Sequence, residues 1–348
     1  MKKIFTTLVV LFFVLTIAIS ACAPSQPKTL TVMTHSSFAV SEDVIKSFED
    51  ASGIKVTFVQ SGDAGEMLNK AILTKDAPLA DVMFGVDNTF LSRALEAGIY
   101  KAYQSPELVN VPDEFKLDST NNVAPVDYGD VCLNYDKKYF EDKGLTVPAS
   151  LEDLTKPEYK NMLVMEDPAT SSTGLAFLLA TRAHFGEDGY LKYWQSLKDN
   201  GVVVVDGWET AYYTNFSGSS GHGSQPLVVS YATSPAAEVV FADPPVDTSP
   251  TGAITAPDTC FRQIEFVGIL KGTHNRAAAE KFIDFMLSTK FQEDMPLQMY
   301  VYPLNKNAKL PDVFIKELMT PTQTAFIAPD QIAANRDAWI EAWTKAMK

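Results

Sequence analysis

Several chemical signatures are scarce or missing in this chain of 348 residues. Histidine occurs four times, at positions 35, 184, 222 and 274, too scattered to suggest a metal centre. No Gly-x-Ser-x-Gly elbow and no His-Glu-x-x-His pair is present, which removes the commonest serine-hydrolase and zinc-protease signatures. Beyond residue 30 no apolar run is long enough to span a bilayer, which takes about 20 residues. Basic residues are outnumbered, 29 Lys and Arg against 43 Asp and Glu, for a net charge of −14. An acidic surface of that size argues against nucleic acid and anionic lipid as partners, while leaving room for a cationic ligand. Cysteine is rare, with three in all.

The start of the chain sets the compartment. Lys2 and Lys3 precede an apolar run from Leu8 to Ile19, and "ISAC" ends at Cys22. That is the layout of a secretory signal over 1–21, and the Ile-Ser-Ala-Cys ending resembles the bacterial lipobox, in which the cysteine becomes a lipid-bearing N-terminus. The expectation is an extracytoplasmic protein anchored through lipid on Cys22, with 22–29 as a short tether. Removing 1–21 leaves 27 basic and 43 acidic residues. Cys132 and Cys260 remain, and an even pair in an exported protein suggests one disulfide, two buried thiols being the alternative.

The mature part suits two lobes better than one core. "KTLTVMTHSSF", "SEDVIKSFEDASG", "IKVTFVQSGD", "AGEMLNKAILTK", "ADVMFGVDN" and "TFLSRALEAGIY" alternate strand and helix, which predicts a parallel sheet covered by helices. Ligands of such sheets sit beyond the carboxyl ends of the strands, where His35, Asp63, Asp87 and Asn88 fall; the last two read as caps. "NNVAPVDYGDVCLNYD" and "FRQIEFVGILKG" are strand-like but carry polar residues. They are the expected crossings between a lobe of 28–126 plus 264–348 and a second α/β lobe of 127–263. The fold expected is two mainly parallel sheets with helices on both faces, joined by a two-crossing hinge around a cleft. "VVVVDGWETAYYTNFSGSSGHG" places Trp208, Tyr212 and Tyr213 where a strand gives way to a loop. Amphipathic rings there would face the cleft.

"LTVMTHSSF", "ADVMFGVDN", "DYGDVCLNYDK", "EDPATSSTGL", "GWETAY", "VVSYATSPA", "MYVYP" and "RDAWIEAW" follow one another as in the extracytoplasmic thiamine-binding proteins of ABC importers, and the mature chain resembles that family along its whole length. The resemblance implies a type II-like periplasmic-binding fold, no catalysis, no cofactor beyond the ligand, a monomer, and delivery of thiamine or its phosphates to a membrane permease with its ATPase. It also implies ligand contacts. Trp208, Tyr212, Tyr231, Tyr300 and Tyr302 would serve the two rings, and Asp63 a polar edge or the cation, unless it caps the helix at Ala64. Ser171 and Ser172 open a helix suited to a hydroxyethyl or phosphate tail, with simple capping as the alternative. His35 stands where the family commonly has Tyr, and Tyr300 where it commonly has Trp. Tyr212-Tyr213 and His35 keep a ferric-ion-binding protein of the same architecture as the alternative, and a secreted hydrolase as a remote one. No metal site is otherwise expected.

Overall fold

Near-continuous apolar runs form the parallel strands, because a strand covered on both faces has no solvent side to spend polar residues on. β3 (Val82–Asp87) and β6 (Leu163–Glu166) are buried at every position. The computed structural model describes residues 28–220, 222–317 and 319–348. The predicted signal segment, Cys22 and the tether up to residue 27 lie outside the described residues.

β1 (Lys28–Thr34), α1 (Glu42–Ser52), β2 (Ile54–Gln60), α2 (Ala64–Leu73), β3 and α3 (Leu91–Glu96) follow the predicted alternation. β1 pairs in parallel with both β2 and β3. After β4 (Tyr100–Lys101), β5 (Ala124–Asp136) runs for 13 residues. Next come α4 (Lys137–Lys143), β6, α5 (Ser172–Asp199), β7 (Val203–Val205), β8 (Leu227–Tyr231) and α6 (Ser234–Val240). β6 is parallel to both β7 and β8. Helix α5 is two helical stretches that meet at Gly186, where φ 69 and ψ −177 break the helical path. β9 (Thr251–Ile254) and β10 (Phe261–Leu270) precede α7 (Arg276–Leu287), α8 (Thr289–Gln292), α9 (Met295–Gln298), β11 (Tyr302–Pro303), α10 (Asp312–Glu317) and α11 (Pro329–Met347).

The strand order is β2-β1-β3-β10-β5-β8-β6-β7. Two parallel three-strand units therefore flank a central antiparallel pair, β10 and β5. They are not separate sheets. The crossing strands pair with each other from Phe261↔Val131 to Val267↔Ala124, so hydrogen bonding passes unbroken from one unit to the other. The first half of β5 serves β10 and the second half serves β8 and β9. Cys132 on β5 is bonded to Cys260 just before β10, with Cα atoms 4.4 Å apart, which ties the crossing pair at one end. The closing helix α11 packs along α5 and reaches α3, and α10 packs on α6, so the last segments lie against elements of both units.

Candidate functional site

The two outer strands of this order, β2 and β7, end close together. Asp63 follows β2, and its Oδ2 accepts from the Trp208 N–H, just past β7, at 3.1 Å. The Gly65 N–H, in α2, donates to Thr170 O, just before α5, at 3.0 Å. The curled sheet thereby encloses a cavity of about 310 Å³ at the carboxyl ends of β1, β2 and β8. That volume is at the lower end of small-molecule sites, about 300–1,000 Å³.

Trp208 is the most firmly held ring in its wall. Its Nε1 donates to Ser230 Oγ at 2.9 Å, and one face stacks on Tyr212 with centroids 4.9 Å apart and planes 16° apart. It is 8% exposed, and it lines the cavity. A ring gripped on its edge and one face can offer the other at little entropic cost. Tyr213 stands edge-on to Trp208 and also lines the cavity. This arrangement accounts for the cluster of rings after the valine run: one ring lines the cavity, one supports it from behind, and one borders it.

Tyr231 lies across the β5 backbone at Gly129, where a Cβ would come within 2.6 Å of its ring, so glycine is required there. Its hydroxyl donates to Gln263 Oε1 at 2.7 Å, and Gln263 Nε2 donates to Ser172 Oγ at 2.7 Å. Tyr300 is held in the left-handed region at φ 57, a conformation that costs a bulky residue energy. Its carbonyl accepts from Thr233 Oγ1. His35 rests on Gly85, which has φ +102 and no room for a Cβ.

The floor is acidic. His35 Nε2 lies 3.2 Å from Glu265 Oε1, though without the alignment of a hydrogen bond. Burial pulls the imidazole down, and the pull of Glu265, helped by Asp63 and Glu209, more than offsets it, so His35 is held above its ordinary value. Glu265 sits on β10 directly between two cross-strand partners, Asp87 on β3 and Asp127 on β5. Burial drives the Asp87 carboxyl up from 3.8 to about 7. Burial, then the charge of Glu265, drives Asp127 well above the carboxylate range. Asp87 otherwise behaves as a cap, its Oδ1 accepting from Thr89 Oγ1 and the Phe90 N–H. Asn88 is a bracket rather than a cap, bonding Arg262 O and the Ile264 N–H.

Of the residues expected to meet a ligand, His35, Asp63, Ser172, Trp208, Tyr231 and Tyr300 all line this cavity. Asp63 is a cap as well, its Oδ1 accepting from the Ala64 N–H at 2.6 Å. Three others do not line it. Tyr212 is buried beneath Trp208 and donates to Glu238 Oε1 at 2.8 Å. Tyr302 belongs to β11 and stacks on Tyr128, 4.9 Å between centroids. Ser171 is wholly buried, its hydroxyl 3.0 Å from that of Thr173. The reading from sequence missed Glu209, Gln60 and Glu265, while Tyr213, expected only as one of the rings facing the cleft, does line the cavity. A lone acid inside the apolar strand "FRQIEFVGIL" was the available signal for Glu265, and Glu209 lies within "GWETAY" itself.

Adjacent phenols at Tyr212 and Tyr213 would have to converge to hold ferric iron, and the Tyr212 hydroxyl is engaged by Glu238 instead. Among the described residues no three His, Cys, Asp or Glu side chains are placed to hold a metal ion.

Comparison with known proteins places this geometry. The model of the family described as bacterial extracellular solute-binding protein matches residues 77–328. The thiamine-binding periplasmic protein of Salmonella typhimurium is 32% identical over 331 residues, covering 93% of this chain and 95% of its own. That of Escherichia coli is 31% identical over 323 residues, covering 91% and 93%. A solved periplasmic thiamin binding protein superposes with a TM-score of 0.80 at 27% identity, covering 94% of this chain and 98% of its own. The ferric binding protein from Campylobacter jejuni superposes with a TM-score of 0.74 at 20% identity, covering 91% and 99%, a likeness of fold alone. The chain belongs to the bacterial extracellular solute-binding proteins: it works outside the cytoplasm, where it binds a small molecule and does not transform it.

Proposed function

We propose that this protein captures thiamine in the cavity beside Trp208 and delivers it to the permease and ATPase of an ABC importer. The observation that carries the reading is the indole of Trp208, pinned by Ser230 and backed by Tyr212, in a cavity that also holds three acidic side chains, Asp63, Glu209 and Glu265. Thiamine has two flat rings, one of them a permanent cation. An aromatic wall and nearby acids suit it through stacking and cation–π attraction, about 0.5–2 kcal/mol each. The named binding partners of its thiamine-binding relatives support the same choice. Ferric iron is the weaker reading, since Tyr212 is turned away from the cavity.

Capture would proceed by closure of two lobes, 28–126 with 264–348 against 127–263, about the β5–β10 pair. Bridges such as Asp63 to Trp208 would form as the cleft shuts and water leaves. The protein would act as a monomer without a further cofactor, held at the membrane by lipid on Cys22. Among the described residues no helix is long and apolar enough to cross a membrane.

Calorimetric titration of the lipid-free protein with thiamine tests the proposal. Saturable one-to-one binding supports it; no binding by folded protein refutes it. Mass spectrometry of the exported protein tests the anchor, which is refuted if residues 1–21 are retained.

A further inference from the structure

We infer that Gln263 is a positioning residue for the ligand: with its cross-strand partner Gly129 it seats Tyr231 and Ser172 so that the first presents a hydrogen-bond acceptor to the cavity and the second a donor. This deepens the thiamine reading and rests on it.

Gln263 lies within β10 and is 1% exposed. A carboxamide buried there costs free energy unless both its ends are bonded, and an apolar residue would suit the strand without that condition. Both ends are bonded, and to hydroxyls of the cavity wall. Oε1 accepts from the Tyr231 hydroxyl at 2.7 Å, and Nε2 donates to Ser172 Oγ at 2.7 Å. Tyr231, at the end of β8, and Ser172, at the start of α5, line the cavity. Gln263 stands behind them and acts through them.

Each bond settles what its partner has left to offer, because a hydroxyl has one proton and two lone pairs. Tyr231 gives its proton to Gln263, so toward the cavity its oxygen can only accept. Ser172 accepts from Gln263 and bonds no other side chain among the described residues, so its proton is free for the ligand. Gly129 completes the seat. It stands opposite Gln263 in the β5–β10 register, and the Tyr231 ring lies 2.6 Å from where its Cβ would be. One strand makes room for the ring and the other holds its hydroxyl. Thiamine carries both complements, an exocyclic amine that donates and ring nitrogens that accept. Hydroxyls fixed in advance lose less freedom on binding than free rotors do.

The test is calorimetry of the lipid-free protein with thiamine, placing Gln263→Met in two backgrounds. One is the wild type; the other carries Tyr231→Phe and Ser172→Ala together. Methionine keeps the length of the side chain and removes both polar ends. In the wild type it should weaken thiamine about tenfold. In the background without the two hydroxyls it should change affinity less than about twofold, since nothing is left for Gln263 to act through. A residue that served packing alone would cost the same factor in both. Equal losses, or wild-type affinity in Gln263→Met, therefore overturn the inference. Denaturant unfolding shows which variants are folded. Should Gln263→Met not fold, Tyr231→Phe and Ser172→Ala, singly and combined, decide the matter. Freeing one end of Gln263 loosens its hold on the other hydroxyl, so the combined loss should fall below the product of the single losses; a combined loss equal to that product overturns the inference. Folded wild-type protein that does not bind thiamine refutes the thiamine reading and this inference with it. Wild-type binding with any of the overturning results refutes the inference alone.

Discussion

Replacing Asp63 with asparagine separates the two jobs this side chain performs. Oδ1 accepts from the Ala64 N–H at 2.6 Å and caps α2, while Oδ2 accepts from the Trp208 N–H at 3.1 Å and joins the ends of β2 and β7. A carboxylate has two acceptor oxygens; a carboxamide has one, and turns an NH₂ toward whichever N–H is left. Asparagine can therefore keep the cap or the bridge, and not both. Asn caps nearly as well as Asp, so keeping the cap costs little. What is lost is a hydrogen bond to a charged group, worth about 1.5–3 kcal/mol. If that bond forms on closure, the loss falls on ligand binding, and thiamine affinity should drop about ten- to a hundredfold. Asp63→Ala should lose a similar factor in affinity, plus about 1 kcal/mol of stability from the vacated cap. Calorimetry reads the first quantity and denaturant unfolding the second. Wild-type affinity in Asp63→Asn would refute the bridge as a contributor to binding. An equal loss of stability in the two variants would show that the cap, not the bridge, was disturbed.

Trp208→Ala should weaken thiamine by about 1–3 kcal/mol, whereas Tyr212→Phe, which removes only the hydroxyl on Glu238, should leave affinity within about twofold. A tenfold loss in Tyr212→Phe would return that residue to the binding surface. Asp87 holds its proton up to about pH 7 when folded but releases it near 3.8 when unfolded, so its contribution to stability is full below pH 3.8 and is lost as pH rises through 7. Asp87→Asn should therefore gain on the wild type between pH 5 and 8, with a ceiling of about 4 kcal/mol, and a gain that stays flat across this range in denaturant melts contradicts the assignment. Substituting Cys132 and Cys260 together by alanine frees a link spanning 128 residues and should cost up to about 4–5 kcal/mol in the chain-entropy account, read as a lower denaturant midpoint; an unmoved midpoint argues against it.

Much of this molecule was legible because its signals are local. The β-α alternation from Lys28 to Glu96 follows from apolar runs punctuated by caps and glycines, and each element forms where those signals place it. The strands β5 and β10 themselves were readable, with polar residues such as Asp127, Asp130 and Glu265 inside otherwise apolar runs. Where the reading failed, the deciding contact was non-local or hung on helical phase. Tyr212 and Tyr213 are chemically identical neighbours. A short π-type turn over Thr210–Asn215 sends the first under Trp208 and the second to the cavity, and nothing in composition separates them. Tyr300 and Tyr302 divide likewise, because the pairing of β11 with Tyr128 and Asp127 claims the second ring for the interior. Glu265 is the instructive omission. In a chain with 43 acidic residues one more Glu carries no weight, and its meaning comes from a register that sets it between Asp87 and Asp127 and beside His35. Three carboxyls in a row across a buried sheet cost stability, since like charges in low dielectric repel and must share protons. Only the middle carboxyl, Glu265, meets the cavity, where a ligand carrying permanent positive charge would relieve that repulsion. The cost to the fold and the proposed capture of a cation would then be one property of the same three strands.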